Sequence, residues 1–123
     1  MKAILEEGKS IYLQISQSVE DDILNGLLAE EEPIPSTNQF AKHYAINPAT
    51  AAKGVSLLTE EGIVYKKRGI GMYVATGAKE IILNKRRNEF YESFKEVIRQ
   101  AEALGVAKKE LVQMIERGQN HAE

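Results

Sequence analysis

Apolar positions change their period along the chain, and each change marks an element. From about Ser10, Tyr12, Ile15, Val19 and Ile23 recur every three or four residues, which predicts an amphipathic helix to about Asn25, with Gly26 past its end. Phe40 and Ala41 are the inward pair of a short helix after Ser36, and Ala51, Gly54, Val55 and Leu58 share one face of another. The period then shortens: Ile63 to Lys67 is rich in β-formers, Arg68–Gly69–Ile70–Gly71 reads as a turn, and Met72 to Val74 returns as a second strand. Beyond Gly77 the helical period resumes, from Lys79 to about Leu104, where Gly105 ends it, and again from about Ala107 to Arg117. The expected class is mainly α with a small β-hairpin. Residues 1–77 form one domain and 78–123 a helical tail.

The two short helices have clear starts. Ser36-x-x-Gln39 has the form of a capping box. Asn47–Pro48 combines a good N-cap with a proline where no helical N–H is needed. The second helix runs to about Glu61 and stops at Gly62. Two short helices joined by the tight turn Tyr44–Ala45–Ile46 describe a helix-turn-helix, whose second helix fits a DNA major groove. The hairpin that follows carries Lys66, Lys67 and Arg68 at its tip and reads as a wing over the phosphate backbone, against the plainer alternative of a solvated hairpin. Pro48, Ala49, Thr50, Ala52 and Lys53 face outward at the start of the second helix. Thr50 can reach a phosphate or a thymine methyl, and Lys53 a phosphate or a guanine edge.

A net charge of −2 is not that of a general nucleic-acid binder, but its distribution is uneven. Residues 1–33 carry two Lys against eight Asp/Glu, whereas 34–77 carry five Lys/Arg against two Glu. Positive charge therefore collects in the segment expected to face DNA. Glu20, Asp21 and Asp22 read as a solvated helix face rather than a metal site, Leu27 to Pro33 as an acidic connection, and residues 1–8 as a loosely docked start. There is no cysteine, so disulfides and thiolate metal sites are excluded. His43 and His121 are far apart, and no P-loop, dinucleotide fingerprint or nucleophile elbow occurs. These patterns point away from an enzyme, a metal and a cofactor. The N-terminus lacks a signal-peptide pattern and no stretch is apolar enough to span a membrane, so a cytoplasmic protein is expected.

Residues Ile11 to Val74 resemble the winged-helix domain of the GntR family of bacterial transcription regulators. The resemblance rests on Ile11–Tyr12–Leu13–Gln14–Ile15, Gly26, Ile34–Pro35–Ser36, Phe40–Ala41, Thr50, Leu58, Glu61–Gly62 and Arg68–Gly69-x-Gly71-x-x-Val74. The Asn47–Pro48-x-Thr50 start and the short tail look most like the YtrA-like subgroup. The resemblance implies a winged helix-turn-helix with a minimal dimerisation tail, often found in repressors of transporter operons. The expected DNA-facing residues are Ser36, Thr37 and Asn38, then Asn47, Ala49, Thr50 and Lys53, then Lys66, Lys67, Arg68 and Gly69. The family often has Arg where Asn38 and Pro48 stand, larger residues at Ala51 and Gly54, and a Gly near Glu31. A glycine inside the reading helix predicts a less rigid helix.

The tail decides the assembly. Phe90, Phe94, Val97, Ala101 and Leu104 are spaced like the a and d positions of a pairing helix, with Tyr91 alongside. Leu111, Val112 and Ile115 share one side of the last helix. The tail is too short for a separate effector domain, and no small-molecule effector is readable. The reading is a homodimeric repressor on double-stranded DNA at an inverted repeat. A winged helix serving only protein pairing is the competing reading.

Overall fold

The computed structural model of the chain describes residues 1–118; His121 lies outside them. The element order is α1 (Ile11–Leu24), α2 (Thr37–Tyr44), α3 (Pro48–Glu60), β1 (Val64–Lys67), β2 (Gly71–Val74), α4 (Ala78–Leu104) and α5 (Lys108–Arg117). The strands form one antiparallel pair in which Tyr65 faces Tyr73 and Lys67 faces Gly71. Three helices followed by this hairpin make a winged helix-turn-helix, in the expected class.

Two compact units divide the chain at Asn84 and Lys85. In the first, α3 packs against both α1 and α2. Its core joins Ile15, Val19 and Ile23 of α1, Phe40 and Ala41 of α2, and Ala51, Val55 and Leu58 of α3 to Ile63, Val64 and Val74 around the hairpin. Burying each large aliphatic side chain stabilises by about 1.5–3 kcal/mol. Ala78 and Ile82, in the first turns of α4, are also fully buried in this core. The unit therefore extends past residue 77, because the start of the long helix supplies part of its packing.

α1 buries a broader arc than its apolar spacing predicts. Gln14, Ser16, Ser18 and Glu20 are buried beside the aliphatic stripe. Glu20 is 1% exposed, which corrects its reading as part of a solvated acidic face. One flank of the arc faces α3, where the Ser16 hydroxyl donates to the Gly54 carbonyl at 2.8 Å. Glu20 lies one turn on from Ser16. The other flank carries the N-terminal segment, which is docked. The Lys2 N–H donates to Ser18 Oγ at 2.8 Å, and Gln14 accepts from the Glu6 N–H at 2.6 Å while donating to the Glu6 carbonyl at 2.9 Å. Tyr44 on α2 donates its hydroxyl to the Lys2 carbonyl.

Gly54 corrects a second expectation. A Cβ at this position would lie 2.8 Å from the Tyr12 carbonyl oxygen and 3.1 Å from Ile15 Cβ. The glycine is thus the point where two helix backbones approach closely, rather than a loosening of α3.

The acidic connection before α2 is also more ordered than a plain loop. Glu31 N–H donates to the Val74 carbonyl at 2.8 Å, Val74 N–H to Glu32 at 2.9 Å, and Ile34 N–H to Met72 at 2.9 Å, so this stretch lines the free edge of β2. Glu31 adopts φ 64°, the left-handed conformation that favours glycine.

In the second unit α4 ends at Gly105, whose φ is 74°. The Val106 N–H reaches back to the Ala101 carbonyl at 2.8 Å, a Schellman-type stop. α5 then runs from Lys108 to Arg117. No described helix is long and apolar enough to cross a membrane, and the described residues contain no His/Cys/Asp/Glu cluster able to hold a metal ion.

Candidate nucleic-acid interface

Caps position both helices of the helix-turn-helix from their first turns. Ser36 Oγ accepts from the Gln39 N–H at 3.1 Å while Gln39 Oε1 accepts from the Ser36 N–H at 2.7 Å, so the capping box is complete in both directions. Ala45 closes α2 in the left-handed conformation, with φ 52°. Asn47 Oδ1 then accepts from the Ala49 N–H at 2.7 Å, and Pro48 takes the first helical position of α3. These caps fix where α3 begins and which residues its first turns direct outward.

Ala49, Ala52, Lys53, Ser56, Leu57 and Glu60 line a shallow open depression along α3. Ala49 and Lys53 are exposed, while Thr50 is half-buried at the edge of this face. The Lys53 ammonium does not project freely. It sits 4.1 Å from the centroid of the Tyr12 ring of α1, a cation–π contact. On α2, Asn38 is exposed, Ser36 is occupied as a cap and Thr37 is half-buried.

Lys66, Lys67, Arg68 and Gly69 are all exposed at the hairpin tip. Gly69 and Gly71 have φ of 68° and 121°, conformations that a side chain would strain, and the Ile70 N–H closes the turn on the Lys67 carbonyl at 3.0 Å. Ile70 is exposed beside the basic residues, an apolar tip that the charge pattern did not reveal. The Lys67 ammonium lies 4.6 Å from the Tyr73 ring centroid, so the wing repeats the lysine-on-tyrosine arrangement of α3.

The base of the wing is clamped by carboxylates. The Tyr65 hydroxyl donates to Glu31 Oε1, the Thr76 hydroxyl to Glu31 Oε2 at 2.9 Å, and the Gly77 N–H to Glu30 Oε1 at 2.8 Å. The bond from Tyr65, followed by that from Thr76, holds the Glu31 carboxyl below the usual carboxylate range, with the Lys67 charge adding to the effect. The same bond, with Glu31 as acceptor, raises the Tyr65 phenol above its ordinary value. Tyr65 and Tyr73 lie across the strand pair with ring centroids 6.4 Å apart. A run of contacts thus joins the clamp to Lys67 through Glu31, Tyr65 and Tyr73. Sequence reasoning missed Tyr12, Tyr65, Tyr73 and Glu31 as supports. The signal for the strand pair was the placement of Tyr65 and Tyr73 four residues on either side of Gly69.

The residues expected to pair two chains fall in α4 and α5. Phe90, Tyr91, Phe94, Val97, Leu104 and Ile115 are exposed and Leu111 is half-buried. Phe90 and Phe94 stack with centroids 6.5 Å apart. Ala101 differs: it is 6% exposed, already covered within its own chain at the end of α4, where its carbonyl accepts from the Val106 N–H. It is therefore not available as a central seam residue.

Comparison with known proteins places these features in context. The family model described as bacterial regulatory proteins, gntR family, matches residues 11–74. The chain is 30% identical over 105 residues to the HTH-type transcriptional repressor YtrA of Bacillus subtilis, covering 85% of this chain and 81% of that protein. It superposes on a transcriptional regulator of the GntR family from Bacteroides thetaiotaomicron with a TM-score of 0.76 at 36% identity, over 92% of this chain and 99% of that one. It shares the fold of AraR(DBD), solved in complex with operator ORX1, with a TM-score of 0.51 at 24% identity over 61% of this chain and 92% of that one.

Proposed function

We infer the function from the premise that this chain belongs to the GntR family of bacterial regulatory proteins: it is a homodimeric transcriptional repressor that reads double-stranded DNA. One observation carries the reading. The exposed, capped face of α3, with Ala49, Thr50 and Lys53 at its start, leads through Glu61–Gly62 into a hairpin whose tip is Lys66, Lys67 and Arg68. The first of these fits the width of a major groove, and the second supplies the positive charge that phosphates require. The repressor role is supported by the likeness to YtrA.

Each α3 enters a major groove and each wing grips the flanking backbone. The exposed apolar residues of α4 and α5 pair two copies, so the operator is an inverted repeat with half-sites about one helical turn apart, ~34–36 Å. The subgroup resemblance extends the reading to repression of a transporter operon, which the neighbouring genes and their expression in a deletion strain test. The protein acts without a metal or cofactor, in the cytoplasm. Selection of duplexes from a randomised pool tests the central reading. A palindromic preference is expected, with affinity that falls steeply with salt. Recovery of no preferred duplex, or salt-insensitive binding, would leave the winged helix as a protein-pairing module instead.

A further inference from the structure

We propose that Tyr12 is a positioning residue of the DNA-reading surface: its ring holds the Lys53 ammonium at the edge of α3, so that α1 takes part in recognition from outside the reading helix. The proposal rests on α3 facing DNA.

Two contacts set the arrangement. The first is the ring itself. Lys53 Nζ lies 4.1 Å from the Tyr12 centroid, inside the distance at which an aromatic face attracts a cation. Lys53 is exposed and Tyr12 half-buried, so the ring is anchored and the ammonium remains open to solvent. The second is the close approach of the two helices at the next residue. Gly54 has no side chain, and a Cβ there would sit 2.8 Å from the Tyr12 carbonyl oxygen. The Ser16 hydroxyl, one turn along α1, donates to the Gly54 carbonyl at 2.8 Å in a buried bond. The neighbours of the cation–π pair are thus tied to each other, the Ser16 side chain to the Gly54 backbone. The close approach fixes the two helices that carry the ring and the lysine, and so sets the place of the lysine over the ring.

That place matters because Lys53 supplies the positive charge among the residues lining the exposed α3 depression, the others being Ala49, Ala52, Ser56, Leu57 and Glu60. A free lysine samples many rotamers and loses that freedom when it meets a phosphate or a guanine edge. A lysine already held over a ring has surrendered part of it before DNA arrives, so more of the contact appears as affinity. The ring holds the ammonium without neutralising it, as a carboxylate partner would.

The test is a double-mutant cycle with Tyr12→Leu and Lys53→Ala, read by fluorescence anisotropy on a duplex that the wild-type protein selects from a randomised pool. Tyr12→Leu is expected to weaken binding by about 2- to 5-fold in the Lys53 background. It is expected to change nothing in the Lys53→Ala background, and Tyr12→Phe is expected to bind as the wild type does. Equal losses in both backgrounds would make Tyr12 a structural residue only and overturn the proposal while α3 remains the reader. No effect of Lys53→Ala would remove the lysine from the interface and overturn the proposal at its base. Selection of no preferred duplex would overturn the DNA reading itself. A second measurement needs no variant: in the free protein the Lys53 ε-methylene protons should be shifted upfield by the ring, as those of Lys67 over Tyr73 should be, relative to the lysines that lie over no ring, and their absence from that range would show that the contact does not form in solution.

Discussion

Adding one methyl group at Gly54 sets two opposing effects on the same helix. Alanine is favoured over glycine inside a helix by about 1 kcal/mol. Against that, the new Cβ meets the Tyr12 carbonyl oxygen at 2.8 Å, and a backbone atom cannot swing aside as a side-chain end can. Overpacking of this kind costs about 1–3 kcal/mol. Gly54→Ala is therefore expected to lower the urea unfolding midpoint, and a midpoint at or above that of the wild type would show that α1 can retreat freely. Propensity alone reads Gly54 as a weak point, because propensity concerns one helix and the constraint comes from another. Glu31 presents a similar conflict. Its left-handed backbone favours glycine, yet its carboxylate holds Tyr65 and Thr76. Glu31→Gly should therefore be more stable than Glu31→Ala, since both remove the carboxylate and only alanine keeps the strain. The lowered carboxyl value also fixes a pH dependence. The contribution of Glu31 is complete above the ordinary carboxylate range and is lost as pH falls through the lowered value, so Glu31→Gln should flatten the acid limb of the stability–pH curve. An unchanged acid limb would show that the clamp does not contribute in solution.

Caps and turns were the most legible elements. Ser36-x-x-Gln39 and Asn47–Pro48 state local chemistry that does not depend on the rest of the fold, and both form the bonds their types predict. The wing was legible for the same reason, since glycines and basic residues at a turn have local meaning. The N-terminal segment was not legible, because it is held by Gln14, Ser18 and Tyr44, polar groups of other elements whose partners no periodicity reveals. At this scale the wing makes a direct prediction. Replacing Lys66, Lys67 and Arg68 together with Ala should weaken binding to every duplex. The slope of log affinity against log salt should fall by about 1 for each phosphate that is no longer neutralised. The core is untouched, because all three side chains are exposed. An unchanged slope in an anisotropy titration would take the wing out of the interface.

For the molecule as a whole, the surface of the second unit is the feature that folding of one chain leaves unexplained. Phe90, Phe94, Val97 and Leu104 on α4, with Val112, Met114 and Ile115 on α5, remain exposed. The first unit meanwhile assembles its core without any of them. Their a/d spacing was readable in the sequence. The burial of Ala101 was not, because it depends on how the chain closes around the end of α4. Apolar surface left exposed in this way is characteristic of interfaces and supports the proposed pairing of two copies. Burying each aromatic side chain contributes about 1.5–3 kcal/mol, so two from each chain are enough to matter to a dimer. Phe90→Asp combined with Phe94→Asp sets charges against charges across such an interface without touching the first unit's core. The double variant is expected to be a monomer by light scattering, to keep the helical content of the wild type by circular dichroism, and to lose high-affinity binding to an inverted repeat while still binding a half-site weakly. A wild-type protein that is monomeric at micromolar concentration, or a double variant that remains dimeric, would move pairing away from these aromatics and require a different partner to cover them.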